Sequence, residues 1–287
     1  MPSAPVIWSK KSINKASNFK QKSILFINAG NANAFTGKEG LLACNAKAVA
    51  LANIFQCDNR NIFFASTGVI GEKLPYKKII QHFNYLKENL SSSGLKEASN
   101  AILTTDLKSK TYTSKFKINN KLFTISGFAK GSGMIFPNMA TMLAFIFTDF
   151  AIDKKTLSGL TKKAVNESFN RISVDGDTST SDSVFVCTTN KKELKVTGAK
   201  SQTALNILYQ EIKTAMVDLA KKIVMDGEGA RKFIEITVKN AKSVARAKKI
   251  CFSIANSLLV KTAIAGEDAN WGRLVMAIGK TRITLKT

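Results

Sequence analysis

Thr141 stands where two stretches of opposite character meet. Before it, Gly131-Ser132-Gly133-Met134-Ile135-Phe136-Pro137-Asn138-Met139-Ala140 is glycine-rich and closes on a Pro-Asn pair. Glycine takes positive φ cheaply and proline stops regular pairing, so this segment reads as a loop. After it, residues 142–147 are continuously apolar, which suits a short strand buried on both faces. A hydroxyl at such a join is fixed by the strand while the loop leaves room for a substrate. A Thr that only begins a core strand would leave the same pattern. As a nucleophile its hydroxyl is weak near neutral pH and needs a base.

Three further places carry groups that could serve acyl chemistry. The apolar run at residues 61–66 ends at Thr67-Gly68, which sets a hydroxyl beside an accessible backbone N–H. Such a pair can stabilise a developing oxyanion, although a Ser-Thr-Gly run is most often just a turn. Lys130, at the start of the glycine loop, could hold a substrate carboxylate as a point charge, or simply end a strand in solvent. Glu228 lies between Gly227 and Gly229, where packing gives it no reason to be; a carboxylate there can pair with a substrate ammonium. His82 is the only histidine, which makes a His-based triad or a zinc site improbable. Asp175, Asp177 and Asp182 fall close together but lack the later Glu of an EF-hand loop, so no metal is expected.

The elements that must position these groups alternate in type. Strands are expected at residues 23–27, 61–66, 142–147, 182–188 and 233–239, with a hairpin of residues 111–117 and 121–126 around Asn119-Asn120. Helices are expected at 41–55, 75–90, 154–169, 202–224 and 242–256. This pattern predicts an α/β protein of stacked sheets flanked by helices, with a main domain at 1–230 and a smaller domain at 231–287.

A chain of 287 residues can bury a substantial core. It has no apolar run long enough for a membrane span, and its first residues lack the apolar core of a signal peptide, so a cytoplasmic protein is expected. The formal charge of +23 raises nucleic-acid binding as a rival function. Lysine is dispersed, however, with no arginine-rich tract or zinc-finger spacing, which fits a solvated lysine-rich surface. Cys44, Cys57, Cys187 and Cys251 lie among apolar residues, away from metal-ligand spacing, and read as buried free thiols.

The run GSGMI-PNMATMLAFI-TD resembles the self-cleavage site of the ornithine acetyltransferase family, the bifunctional glutamate N-acetyltransferases of arginine biosynthesis. Further segments resemble the family in its own order: NAGNANA at residues 28–34, Ser66-Thr67-Gly68, Thr104-Thr105-Asp106, AKGSGM at 129–134, VDGDTST at 174–180, DGEGA at 226–230 and GEDANWGR at 266–273. The resemblance implies cleavage of the Ala140–Thr141 bond. Thr141 Oγ would attack the Ala140 carbonyl, and water would open the resulting ester. The freed α-amine of Thr141, with a pKa of about 8, would then act as the nucleophile's base. Thr67 and Gly68 would form the oxyanion hole. Thr104, Lys130, Thr141 and Glu228 would contact substrate, with Lys130 on a carboxylate. The NAGNANA and VDGDTST segments are read as structural turns near the site.

The implied reaction is ping-pong acetyl transfer from N-acetylornithine to glutamate without a cofactor. Acetyl-CoA would be a further acetyl donor in a bifunctional member. The implied assembly is a heterotetramer of the two cleaved halves, 1–140 and 141–287. Family members carry further strands before the position of Met1, and a segment past Thr287 that supplies an Asn and a Thr to the pocket. By this resemblance the chain is expected to be a fragment, a mis-called frame or a shortened protein, with its domain at 231–287 incomplete. Two alternatives are an amidohydrolase or aminopeptidase with the same self-cleaving Thr, and a non-catalytic basic protein that binds nucleic acid.

Overall fold

A computed structural model describes residues 1–15, 22–136, 142–193 and 199–283. Ala140 and Thr141, the expected cleavage point and nucleophile, lie outside the described residues. The first half runs α1 (Ala4–Lys15), β1 (Ile24–Asn28), α2 (Gly37–Phe55), β2 (Ile62–Ser66), α3 (Tyr76–Gln81), α4 (Phe83–Glu88) and α5 (Leu95–Ala101). It continues with β3 (Lys110–Ile118), β4 (Lys121–Lys130), β5 (Leu143–Phe150), α6 (Lys154–Asn166), β6 (Ser183–Lys192) and α7 (Ala199–Met225). The last helices are α8 (Val244–Ala255), α9 (Leu258–Ala265) and α10 (Trp271–Gly279).

The strands form two sheets, a parallel pair β1-β2 and a mixed sheet in the order β3-β4-β5-β6. The mixed sheet explains the continuous apolar run after Met142. Successive side chains of a strand point to opposite faces. Ala144, Ile146 and Phe150 of β5 face one way, into a core with Leu208, Ile212, Ala215 and Leu219 of α7. Leu143 and Phe145 face the other way, onto Ala65 of β2 and against Leu25 and Ile27 of β1. The two sheets are therefore stacked face to face. Beyond the β1-β2 pair, Ile62 and Phe64 pack on Ala4 of α1 and on Cys44, Ala48 and Leu51 of α2. Four layers result, helix, sheet, sheet and helix, as the α/β reading anticipates.

Local chemistry sets the element ends. Asp153 accepts the Thr156 N–H at 2.9 Å and so caps α6, and Ser243 caps α8 through Arg246 N at 3.2 Å. Asn119 and Asn120 take φ of 46° and 61° at the tip of the β3-β4 hairpin, the left-handed pair that this tight turn demands.

Two expectations need correction, and one helix was not anticipated. The helix read at 75–90 is two short helices broken at His82, where ψ is 0°. The strand read at 233–239 is not one, because no described strand pairs with it; Ile236 and Val238 instead pack against a small cluster of Ile250, Ile254, Val260 and Ala277. The N-terminal helix α1 went unread. It is held by Ser9 Oγ, which donates to Phe64 O at 2.9 Å and accepts from Phe64 N at 2.8 Å. Among the described residues no helix is long and apolar enough to cross a membrane.

Candidate active site

The register of the sheets brings four chain segments to one end of the sandwich. Lys130, the last residue of β4, pairs with Leu143 at the start of β5, and Leu143 pairs with Ser183 at the start of β6. From the facing sheet, Ser66 ends β2 opposite Asn28. Thr67 continues this ladder, its N–H donating to Asn28 O at 3.1 Å.

Gly68 follows with φ of +126° and is pressed against the NAGNANA turn: a Cβ there would lie 2.2 Å from the carbonyl carbon of Gly30. Only glycine fits this approach. The two turns are laced together by Val69 N–H to Gly30 O at 3.2 Å and Ala32 N–H to Val69 O at 2.9 Å. The Gly68 N–H donates to no described atom.

The Lys130 ammonium is the hub of the site. It donates to Thr67 Oγ1 at 2.9 Å and to Thr104 Oγ1 at 2.8 Å, and lies 3.7 Å from Asp106 Oδ2. Burial lowers its pKa, as does the Lys110 charge, while Asp106 and Glu228 pull the other way. Asp106 in turn accepts Lys110 Nζ and the Gly131 N–H through Oδ1, each at 2.7 Å. Burial alone would raise the Asp106 pKa; these donors and the Lys130 charge bring it below the ordinary carboxylate value. Lys110 closes the network on Asp226 Oδ2 at 2.6 Å. That same oxygen accepts the Leu107 and Lys108 N–H groups at 3.0 and 3.3 Å, fastening the end of α7 to the loop that carries Thr104.

Glu228 sits one turn beyond α7, and its N–H donates to Ser132 O at 2.9 Å. Its carboxylate lies over Gly133, where an added Cβ would be 2.8 Å from Oε1. That carboxylate is exposed and forms no ion pair with a described residue. The VDGDTST segment braces the glycine loop: Asp175 Oδ1 accepts the Ile135 N–H at 3.0 Å, and Val174 N–H donates to Ile135 O at 2.7 Å.

The structure thus brings Thr67, Gly68, Thr104, Lys130 and Glu228 to one end of the sandwich. Sequence reading missed Asp106, Lys110 and Asp226, whose mutual pairing spans up to 116 residues of chain. It weighed Asp182 only as a metal ligand and as the start of a strand. This carboxyl precedes β6, is 7 % exposed, and has no hydrogen-bond partner among the described residues. Burial pushes its pKa up to about 8, against smaller opposing pulls from the Met142 backbone and the Lys130 charge. The available signal was a carboxylate at the mouth of the apolar run Val184–Phe185–Val186.

A family model described as the ArgJ family matches residues 1–287. The arginine biosynthesis bifunctional protein ArgJ of Nitrobacter winogradskyi is 45% identical over 286 residues, covering 97% of this chain and 68% of its own length. The protein of that name from Gluconobacter oxydans is 43% identical over 280 residues, covering 98% of this chain and 65% of its own. A crystal structure of arginine biosynthesis bifunctional protein ArgJ from Bacillus halodurans superposes with a TM-score of 0.46 at 42% identity, over 51% of this chain and 68% of that one. The chain spans about two thirds of the length of the curated relatives it matches.

Proposed function

The chain belongs to the ArgJ family, and on that premise we infer that it is an acetyltransferase of arginine biosynthesis that moves an acetyl group from N-acetylornithine to glutamate. One observation carries the reading. The Thr67 hydroxyl and the Gly68 N–H are adjacent donors, and neither has an acceptor among the described residues. Two preorganised donors side by side are what a tetrahedral oxyanion requires.

The chemistry runs through Thr141. After scission of the Ala140–Thr141 bond its α-amine takes the proton from Oγ, and Oγ bonds to the acetyl carbonyl carbon. Thr67 and Gly68 hold the oxyanion. The amine returns the proton to the departing nitrogen, the C–N bond breaks, and ornithine leaves. Glutamate reverses the sequence: its amine attacks the acetyl-Thr141 ester and carries the acetyl group away. Glu228 receives a substrate ammonium. Neither half-reaction changes oxidation state, so no cofactor is called for, and acetyl-CoA would enter only as another acetyl donor.

Scission leaves the halves joined. The cut falls between β4 and β5, which pair in antiparallel register from Ile125↔Thr148 to Lys130↔Leu143. The ladder and the cores on both its faces hold residues 1–140 to residues 141–287, and two such pairs would make the heterotetramer.

N-acetylornithine labelled in its acetyl group, incubated with the protein and glutamate, tests the reading. Label in N-acetylglutamate is expected. Label in acetate would make the enzyme a hydrolase, and label left in N-acetylornithine would remove the function.

A further inference from the structure

Lys110 is a buried cation of the site with no donor to spare for a substrate. It opens β3, and its side chain is 2 % exposed. An ammonium has three protons. Here they go to Asp106 Oδ1 at 2.7 Å, to Asp226 Oδ2 at 2.6 Å and to Lys108 O at 3.1 Å. Stability alone does not call for a buried cation between two carboxylates, since apolar side chains in their place often do as well. What Lys110 joins is two sides of the site. Asp106 accepts the Gly131 N–H of the glycine loop at 2.7 Å and the Thr104 N–H at 3.3 Å. Asp226 follows the last residue of α7 and stands two residues before Glu228.

We propose, on the reading in which Glu228 takes a substrate ammonium, that Lys110 and Asp226 are positioning residues that act through Glu228. Their ion pair fixes the turn that carries the Glu228 carboxylate against the loop of Thr104, and so places the receptor for the free ammonium of N-acetylornithine.

The turn itself is short and stands clear of α7. The Ala230 N–H closes it on Gly227 O at 2.9 Å, and Gly229 takes φ of +68°. Glu228 N–H on Ser132 O ties its backbone to the glycine loop. Gly227 lies so close to Val174 that a Cβ would be 2.9 Å from Cγ1. The remaining anchor is Asp226 Oδ2, which gathers Lys110 Nζ and the Leu107 and Lys108 N–H groups on one oxygen. Lys110 and Lys130 match Asp106 and Asp226 in number, so the charge of Glu228 is left over for a cationic ligand.

The two substrates differ in what they offer that charge. N-acetylornithine carries an ammonium besides its acetylated nitrogen. Glutamate has one amine, which must meet the acetyl-Thr141 ester as a neutral nucleophile, and its side chain is an anion that Glu228 repels. A misplaced Glu228 therefore penalises the first half-reaction and spares the second.

Two measurements test this. The first needs no turnover: ornithine is titrated into the protein by calorimetry. Asp226→Asn keeps the shape and one acceptor oxygen, and is expected to weaken binding by about 10-fold or more. Glu228→Gln is expected to weaken it at least as much, and the double variant no further than Glu228→Gln. A general slackening of the fold would instead multiply the two effects. The second is initial-rate acetyl transfer with both substrates varied. Asp226→Asn is expected to raise the KM for N-acetylornithine by about 10-fold or more and that for glutamate by less than about 3-fold. Should Asp226→Asn not fold, Asp226→Glu, which keeps the charge and moves it by one methylene, is judged by the same selectivity. Ornithine binding unchanged in the variant, effects that multiply in the double variant, or two KM values that rise together would overturn the proposal. So would a wild-type protein that binds no ornithine. Wild-type protein that binds ornithine with these couplings and transfers no acetyl group would overturn the functional reading alone.

Discussion

Lys47 sits 0 % exposed in the core between α2 and the β1-β2 sheet. Its ammonium has no hydrogen-bond partner among the described residues and rests over the rings of Phe64 at 4.5 Å and Phe26 at 5.3 Å. Burial pushes its pKa down to about 8, against a smaller pull from Cys44. A drop from 10.5 to about 8 corresponds to roughly 3 kcal/mol against the charged form. The two rings offset about 1–2 kcal/mol of this, so the charge costs the folded state about 1–2 kcal/mol at pH 7. The sign follows from proton counting. On raising the pH the folded Lys47 releases its proton before the unfolded chain does at about 10.5, so stability rises with pH up to that value. Lys47→Met keeps the stem and removes the charge. It should be about 1–2 kcal/mol more stable than the parent at pH 7, with the advantage fading by pH 10.5. Urea unfolding followed by circular dichroism measures it, with both chains carrying Thr141→Ala so that one chain unfolds. The other lysines are common to both and cancel in the difference. A Lys47→Met chain that is less stable at pH 7, by an amount that does not change with pH, would refute the reasoning.

Two further predictions concern the buried charges of the site. Lys110→Met removes the cation shared by Asp106 and Asp226, both almost buried, and should destabilise the fold by about 3–5 kcal/mol in urea unfolding; a loss below about 1 kcal/mol would show the network to be slack. Asp182 holds its proton in the folded state up to about pH 8 and in the unfolded state only to about pH 3.8, so it stabilises at low pH and loses this as pH rises through that window. Asp182→Asn, which stays neutral, should therefore gain on the parent from pH 4 to pH 8, reaching roughly 2–5 kcal/mol; a flat difference would mean the carboxyl is already paired.

The strands were legible because their burial is one-dimensional. A strand covered on both faces must be apolar along its covered length, and residues 62–65 of β2 and 143–147 of β5 are. The hairpin was legible from the Asn119-Asn120 tip. Helix α1 was not, because what fixes it is a serine bonded to the backbone of Phe64, far along the chain. Residues 233–239 alternate like a strand, but alternation cannot supply a pairing partner. Thr67, Gly68, Thr104, Lys130 and Glu228 were singled out by motif, and the fold gathers them. The lysine's bonding was not readable in any motif, because it depends on which hydroxyls the two sheets bring within 3 Å of Nζ. Charged partners far apart in sequence, such as Lys110 and Asp226, leave no local trace at all.

The central claim is that Thr141 cuts the chain before it and then carries the acetyl group. The intact mass of the purified protein under denaturing conditions tests it most directly. The account predicts two fragments meeting at Ala140–Thr141, and a single uncut chain for Thr141→Ala. A wild-type protein that remains one chain, or a Thr141→Ala chain that still splits at this bond, would contradict it.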